Sequence, residues 1–174
     1  MKNINRSGSR ASSTREKIRY ISSSAIIAAL YVALTCVSNI FGLASGAIQC
    51  RLSEALCILP FFTPAAIPGV TIGCLLANLL TTGNIYDIIF GTLASFIGVL
   101  GGYFLRKYRY LVSIPTILAN TLIIPFVLKF MFGLKDSIWY FFVTVGIGEV
   151  ISAGVFGMIL LLSLYKINKN KRLF

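Results

Sequence analysis

The sequence predicts an all-α integral membrane protein with six transmembrane helices and both termini in the cytoplasm. Three observations predict it. Mean hydropathy is +0.86, and 57% of the 174 residues are apolar while only 12% are charged, more apolar surface than a soluble domain of this size can hide. The apolar residues fall in long runs with short polar joints between them. The net charge of +11 is gathered in clusters: six basic residues before Tyr20, then Arg106, Lys107 and Arg109, then four after Tyr165. Clusters of this kind flank spans on the cytoplasmic side. A nucleic-acid binder would need a basic face on a folded soluble domain, and the sequence offers none.

Residues 1–20 hold four serines and no apolar period, which predicts a disordered basic cytoplasmic tail that orients the first helix. The polar start leads straight into a full-length apolar segment, which argues against a cleavable signal. A six-helix domain over 21–166 follows. Helix 1 is expected over 22–43, about twenty residues and enough to span. It carries Ala25, Ala29 and Ala33 at i, i+4 and i+8, a small-residue stripe that admits another helix closely. From spacing alone that helix could be a neighbour in the same chain. A loop over 44–50 follows.

The next apolar region, 52–81, contains Pro60, Pro64 and Pro68, which interrupt a helix. Charge parity divides it. With helix 1 and a clear span over 86–105 between two inside clusters, the region must contribute no crossing or two, so helices are expected over 52–62 and 65–81. Helix 2 is short, and a re-entrant segment is the competing choice. The span over 86–105 carries Gly91, Ser95, Gly98 and Gly102 as a second small-residue stripe. Helix 5, over 110–132, has Asn120 near its middle and Pro125 as a kink. Helix 6, over 137–165, holds Glu149 between Gly146, Gly148 and Ser152, with Trp139 and Tyr140 as interfacial anchors. A basic tail over 167–174 returns to the cytoplasm.

The polar groups that apolar surroundings should not tolerate are Arg51, Glu54, Asn78, Asp87, Asn120 and Glu149. Such groups usually face a bundle interior and mark a substrate path. The predicted topology puts them towards the outer side, where an outward-opening cavity would gather them. Each has a plainer role available. On a helix Arg51 and Glu54 would share a face as a one-turn salt bridge. Asn78 and Asn120 would serve as interhelical hydrogen bonds, and Asp87 as a helix cap. Glu149 is the hardest to explain so, because nothing basic lies near it in sequence. The chain lacks histidine and C-x-x-C spacing, which speaks against a metal site; Cys36, Cys50, Cys57 and Cys74 read as small apolar fillers. No nucleophile–base pair and no phosphate-binding loop occurs. An enzyme is therefore not expected, and uphill transport would draw on a partner or an ion gradient.

The runs R-L-S-E-A-L-x-x-L-P, T-P-A-A-I-P-G, G-C-L-L-A-N and D-I-I-F-G-T-L-A, over 51–94, resemble the QueT family of queuosine-precursor transporters, with weaker matches in P-T-I-L-A-N and G-I-G-E. The family members are substrate-binding (S) components of energy-coupling-factor (ECF) transporters. The resemblance implies a six-helix S-component bundle in a bacterial plasma membrane, with an outward-facing pocket for a 7-deazaguanine such as preQ0 or preQ1. It implies as partners a transmembrane coupling protein and two ATPase subunits, which use the ATP; this chain itself needs no cofactor. It turns Ala25, Ala29 and Ala33 into the face towards the coupling protein. A carboxylate, Glu54 or Glu149, would accept from the guanine-like edge, and Arg51 or an asparagine would donate to O6. Asp87 would take an aminomethyl cation, and Tyr86, Phe61 or Phe62 would stack on the base. Two alternatives stand beside this reading: an oligomeric proton-coupled carrier with Glu149 as relay, and an S component for a different vitamin-like substrate.

Overall fold

The structure is a computed structural model that describes residues 4–43, 50–131, 133 and 136–171, with side chains over 13–43, 50–131, 133 and 136–169. Among the described residues every regular element is helical. They are α1 (Ile4–Ile40), a 3-10 helix (Leu52–Phe61), α2 (Ala66–Thr81), a π-helical segment (Asp87–Gly91) leading into α3 (Thr92–Phe104), α4 (Ile114–Phe126) with a π segment (Val127–Met131), α5 (Ile138–Glu149), a third π segment (Val150–Phe156) and α6 (Gly157–Lys171).

Among the described residues four helical stretches are long and apolar enough to cross a membrane: Ser13–Ile40, Asp87–Phe104, Ile114–Met131 and Ile138–Lys169. Leu52–Phe61 and Ala66–Thr81 are shorter. The expected helix over 52–62 is a 3-10 helix. Its ten residues rise about 2.0 Å each, roughly 20 Å in all, against about 30 Å of hydrocarbon. It is covered by the rest of the bundle: Ser53, Glu54, Ala55, Leu56, Cys57 and Ile58 are all buried. Pro60 lies inside it, and its missing N–H and fixed φ favour a tight, short element over a long α-helix.

Each π segment continues the helix beside it, so that α5, the third π segment and α6 form one stretch, and the successive stretches run in alternating directions. The Leu52 amide donates to Ser38 Oγ near the end of α1 at 3.0 Å. At the other end of the 3-10 helix, the Phe61 ring lies 6.3 Å from that of Tyr165. The chain then turns, and Ser24 Oγ near the start of the apolar part of α1 donates to the Ala65 carbonyl at 3.0 Å. α2 returns to the first end, where Asn78 Nδ2 donates to the Asp87 carbonyl at 3.1 Å. The basic residues Arg15, Lys17 and Arg19, then Arg106, Lys107 and Arg109, then Lys166 and Lys169 follow the same geometry to one end of the bundle.

Glycine sets how closely the helices pack. A Cβ on Gly73 would stand 2.7 Å from Tyr31 Cβ and 3.0 Å from Ala28 Cα, and one on Gly69 would stand 2.9 Å from Ile27 Cβ. α1 and α2 therefore touch backbone to backbone, the small-xxx-small device of membrane helices. A core of Ile27, Tyr31, Leu56, Cys57, Val70 and Cys74 fills that junction. Ile124, Leu128, Phe141 and Val145 form a second cluster between α4 and α5. The outward faces carry Leu75, Leu79, Leu118, Leu122, Val155 and Ile159, all exposed, as lipid-facing surface requires.

Several boundaries differ from the sequence expectation. α1 begins at Ile4, so residues 4–20, expected to be disordered, continue the first helix. Extending an existing helix costs far less than nucleating one, and Ala11, Arg15, Glu16 and Lys17 are good helix formers. Helix 5, expected from 110, starts at Ile114 with Pro115 in its first turn, where proline is pre-organised. α6 continues to Lys171 and so absorbs part of the expected tail over 167–174. The loop over 44–49 lies outside the described residues.

Candidate functional site

At the end of the bundle opposite the basic clusters, three elements are tied together by one guanidinium. Arg51 precedes the 3-10 helix in an extended conformation (φ −100°, ψ 105°), so its side chain leaves the helix axis. Its Nη1 donates to Asn78 Oδ1 of α2 at 3.2 Å. Its Nη2 donates to Asp87 Oδ2 at 3.4 Å, an ion pair. Asn78 is buried and its amide also donates to the Asp87 backbone. A Cβ on Gly91 would stand 2.8 Å from Asn78 Nδ2, so Gly91 leaves the space that the asparagine occupies. The plainer alternative for Arg51 and Glu54, a helix-face salt bridge, gives way to this arrangement, because Arg51 stands ahead of the helix rather than on it.

Glu54 is 1% exposed and is held by the chain's own donors. Tyr31 Oη donates to Oε1, Cys57 Sγ donates to Oε2 at 3.1 Å, and Ser95 Oγ approaches Oε1 at 3.5 Å. Ser95 also donates to Cys74 Sγ at 3.3 Å. Cys57 and Cys74 are thus buried fillers with polar partners. Glu149 differs. It is equally sequestered, at 7% exposure, yet its Oε2 is buried without a hydrogen-bond partner among the described residues. An unpaired polar atom away from water is costly, so its neighbourhood is informative.

That neighbourhood is a cavity lined by Arg51, Glu54, Gly91, Asn120, Ile124, Val145 and Glu149. About 20 Å³ of it is open to the centre of a water molecule, room for one water by the usual measure. All six polar residues singled out by sequence meet here: four line the cavity, and Asn78 and Asp87 brace Arg51 from behind. The aromatic expectations do not hold for this cavity. Phe61 and Phe62 pack edge to face on each other at 4.9 Å near Tyr165, at the far end of the 3-10 helix, and Tyr86 stays exposed. The apolar walls are Ile124 and Val145. Sequence reasoning missed Tyr31 and Ser95, the donors to Glu54; each is a single hydroxyl in an apolar helix, a signal present but shared with many packing residues.

Two π segments border the site. One starts at Asp87 and ends at Gly91, and another follows Glu149 directly. Such wide turns recur at functional positions because they re-aim side chains. On the outside of α1, Ala25, Ala29 and Ala33 are exposed. The face of α1 that packs within the chain is the one bearing Ile27, Ala28, Tyr31, Thr35 and Ser38.

A family profile described as QueT transporter matches residues 21–166. The queuosine precursor transporter QueT of Lactococcus lactis subsp. cremoris (strain MG1363) is 41% identical over 73 residues, which cover 42% of this chain and 43% of that protein. The matched stretch is thus less than half the length of that relative. No solved structure matches.

Proposed function

The chain belongs to the QueT transporter family, a multi-pass membrane protein and not an enzyme, and from that premise we propose that it is the substrate-binding component of an ATP-driven importer for a queuosine precursor. The observation that carries this reading is the unpartnered Glu149 oxygen inside a buried polar cavity. A guanine-like edge offers two parallel N–H donors, and a carboxylate accepts such a pair. Glu54 has its donors already, so Glu149 takes this role. Asn120 or the free N–H groups of Arg51 donate to O6. Asp87 is engaged by Arg51, so an aminomethyl cation would find its negative charge in Glu149 and Glu54 instead. The space for one water is too small for a bicyclic base, and binding therefore opens the site; the adjoining π segments are where helices can shift most cheaply.

Six crossings with both termini cytoplasmic belong to the same reading. The alternating run of the helical stretches and the gathering of basic residues at one end support it. The partners would be a transmembrane coupling protein and two ATPase subunits in a bacterial plasma membrane, with Ala25, Ala29 and Ala33 as the docking stripe; their exposure supports that assignment.

The test is titration of the purified chain with preQ0, preQ1, queuine and guanine. One deazaguanine should bind tightly, and Glu149→Gln should weaken it about 10- to 100-fold, the worth of a charged hydrogen bond. Folded protein that binds none of them would remove the substrate assignment. The second reading, a proton-coupled carrier, draws on the same buried Glu149. It requires uptake that collapses with the proton gradient, whereas the first requires uptake that stops without ATP.

A further inference from the structure

The basic end of the bundle holds a second concavity. The turns between α3 and α4, over 105–113, fold against the end of the 3-10 helix and against α6. They enclose a groove of about 600 Å³ lined by Phe61, Lys107, Arg109, Tyr110, Leu111 and Tyr165 among others. Arg109 is fixed within it. Its Nη2 donates to Tyr110 Oη at 2.7 Å, and its Cζ lies 4.6 Å from the Tyr110 ring centre and 5.7 Å from that of Tyr165. Two aromatic faces thus hold the cation in place, and among the described residues its hydrogen bond to Tyr110 leaves further N–H donors for a ligand. Lys107 is exposed. None of the five carboxylates in the chain, Glu16, Glu54, Asp87, Asp136 and Glu149, lines the groove. The walls between the charges are aromatic and aliphatic, and Leu111 and Tyr165 are about 40% exposed, at the ends of spans where lipid headgroups lie.

We propose that this groove is a binding site for the headgroup of an anionic phospholipid. The phosphate sits between Lys107 and Arg109, and the glycerol and first acyl carbons run along Phe61, Leu111 and Tyr165. The held Arg109 and the exposed Lys107, with no carboxylate lining the groove among the described residues, supply the charge complementarity. The apolar walls favour a lipid over free phosphate, which has nothing to place against them. Only the leaflet, the cytoplasmic one, rests on the orientation argued above; the site itself stands without the transported substrate.

Native mass spectrometry of the full chain in detergent, offered equal phosphatidylglycerol and phosphatidylcholine, tests the site. The unaltered protein should retain phosphatidylglycerol selectively. Lys107→Gln and Arg109→Gln should each retain about fivefold less, as expected for one charge near a lipid surface. Lys169→Gln, a basic residue of α6 outside the groove, should behave as the parent does. Equal loss in all three variants would reveal a diffuse field and overturn the site, as would no loss in the first two. If Arg109→Gln fails to fold, Lys107→Gln carries the test alone. Inorganic phosphate that displaces the lipid at millimolar concentration would assign the groove to phosphate instead. Labelling of Tyr108→Cys from outside intact cells would reverse the leaflet and leave the lipid site standing.

Discussion

Glu54 and Glu149 are both buried carboxylates, and their surroundings give them different work. Glu54 accepts from Tyr31 and Cys57 and lies near Ser95, so its first task is to join α1, the 3-10 helix and α3. Tyr31→Phe should therefore lower stability by about 1–2 kcal/mol, the cost of a buried acceptor that loses a donor, read as a fall in the midpoint of thermal unfolding. Ligand affinity should change less than in Glu149→Gln, and the reverse order would show that Glu54 holds the substrate edge. Gly91→Ala is the sharpest probe of the brace. Its new Cβ would meet Asn78 Nδ2 at 2.8 Å, pushing the asparagine off Arg51. The variant should fold and bind ligand at least several-fold more weakly; unchanged affinity would detach Asn78 and Arg51 from the site.

Among the elements, α1 has two faces with opposite fates. One is closed against Gly69 and Gly73 of α2, and the other leaves Ala25, Ala29 and Ala33 bare. Enlarging the closed contact with Gly73→Leu should destabilise the bundle by at least about 1–3 kcal/mol, since backbone atoms cannot yield as side chains can. Ala29→Leu should leave folding and ligand binding unaltered, yet abolish co-purification with an ATPase-bearing complex. An unaltered complex would return the stripe to lipid. Small-xxx-small spacing was legible in the sequence on α1 as Ala25, Ala29 and Ala33, while Gly69 and Gly73 of α2 emerged only from the packing. Which stripe faces the chain's own neighbour was not legible, because spacing gives a face but no direction. The 3-10 character of Leu52–Phe61 was hidden for a related reason: hydropathy reads burial, and a short buried plug and a short span look alike.

For the whole molecule, the basic residues gathered at one end predict orientation. Cysteines placed at 108 and in the joint near 136 should label from opposite sides of the membrane, and labelling from the same side would remove the single pass between them. By itself the sequence determined the membrane class and the family, and it singled out the six polar residues that the fold brings to one end of the bundle, because charge in apolar surroundings is rare enough to stand out in the sequence. The tertiary structure decided what those residues do. Packing brought Arg51 to Asp87 rather than to Glu54, filled the acceptors of Glu54 with Tyr31 and Cys57, and left one oxygen of Glu149 without a donor among the described residues. Such pairings depend on which helices approach within hydrogen-bond reach. That reach is set by glycine contacts far apart in the chain, and no local pattern encodes it.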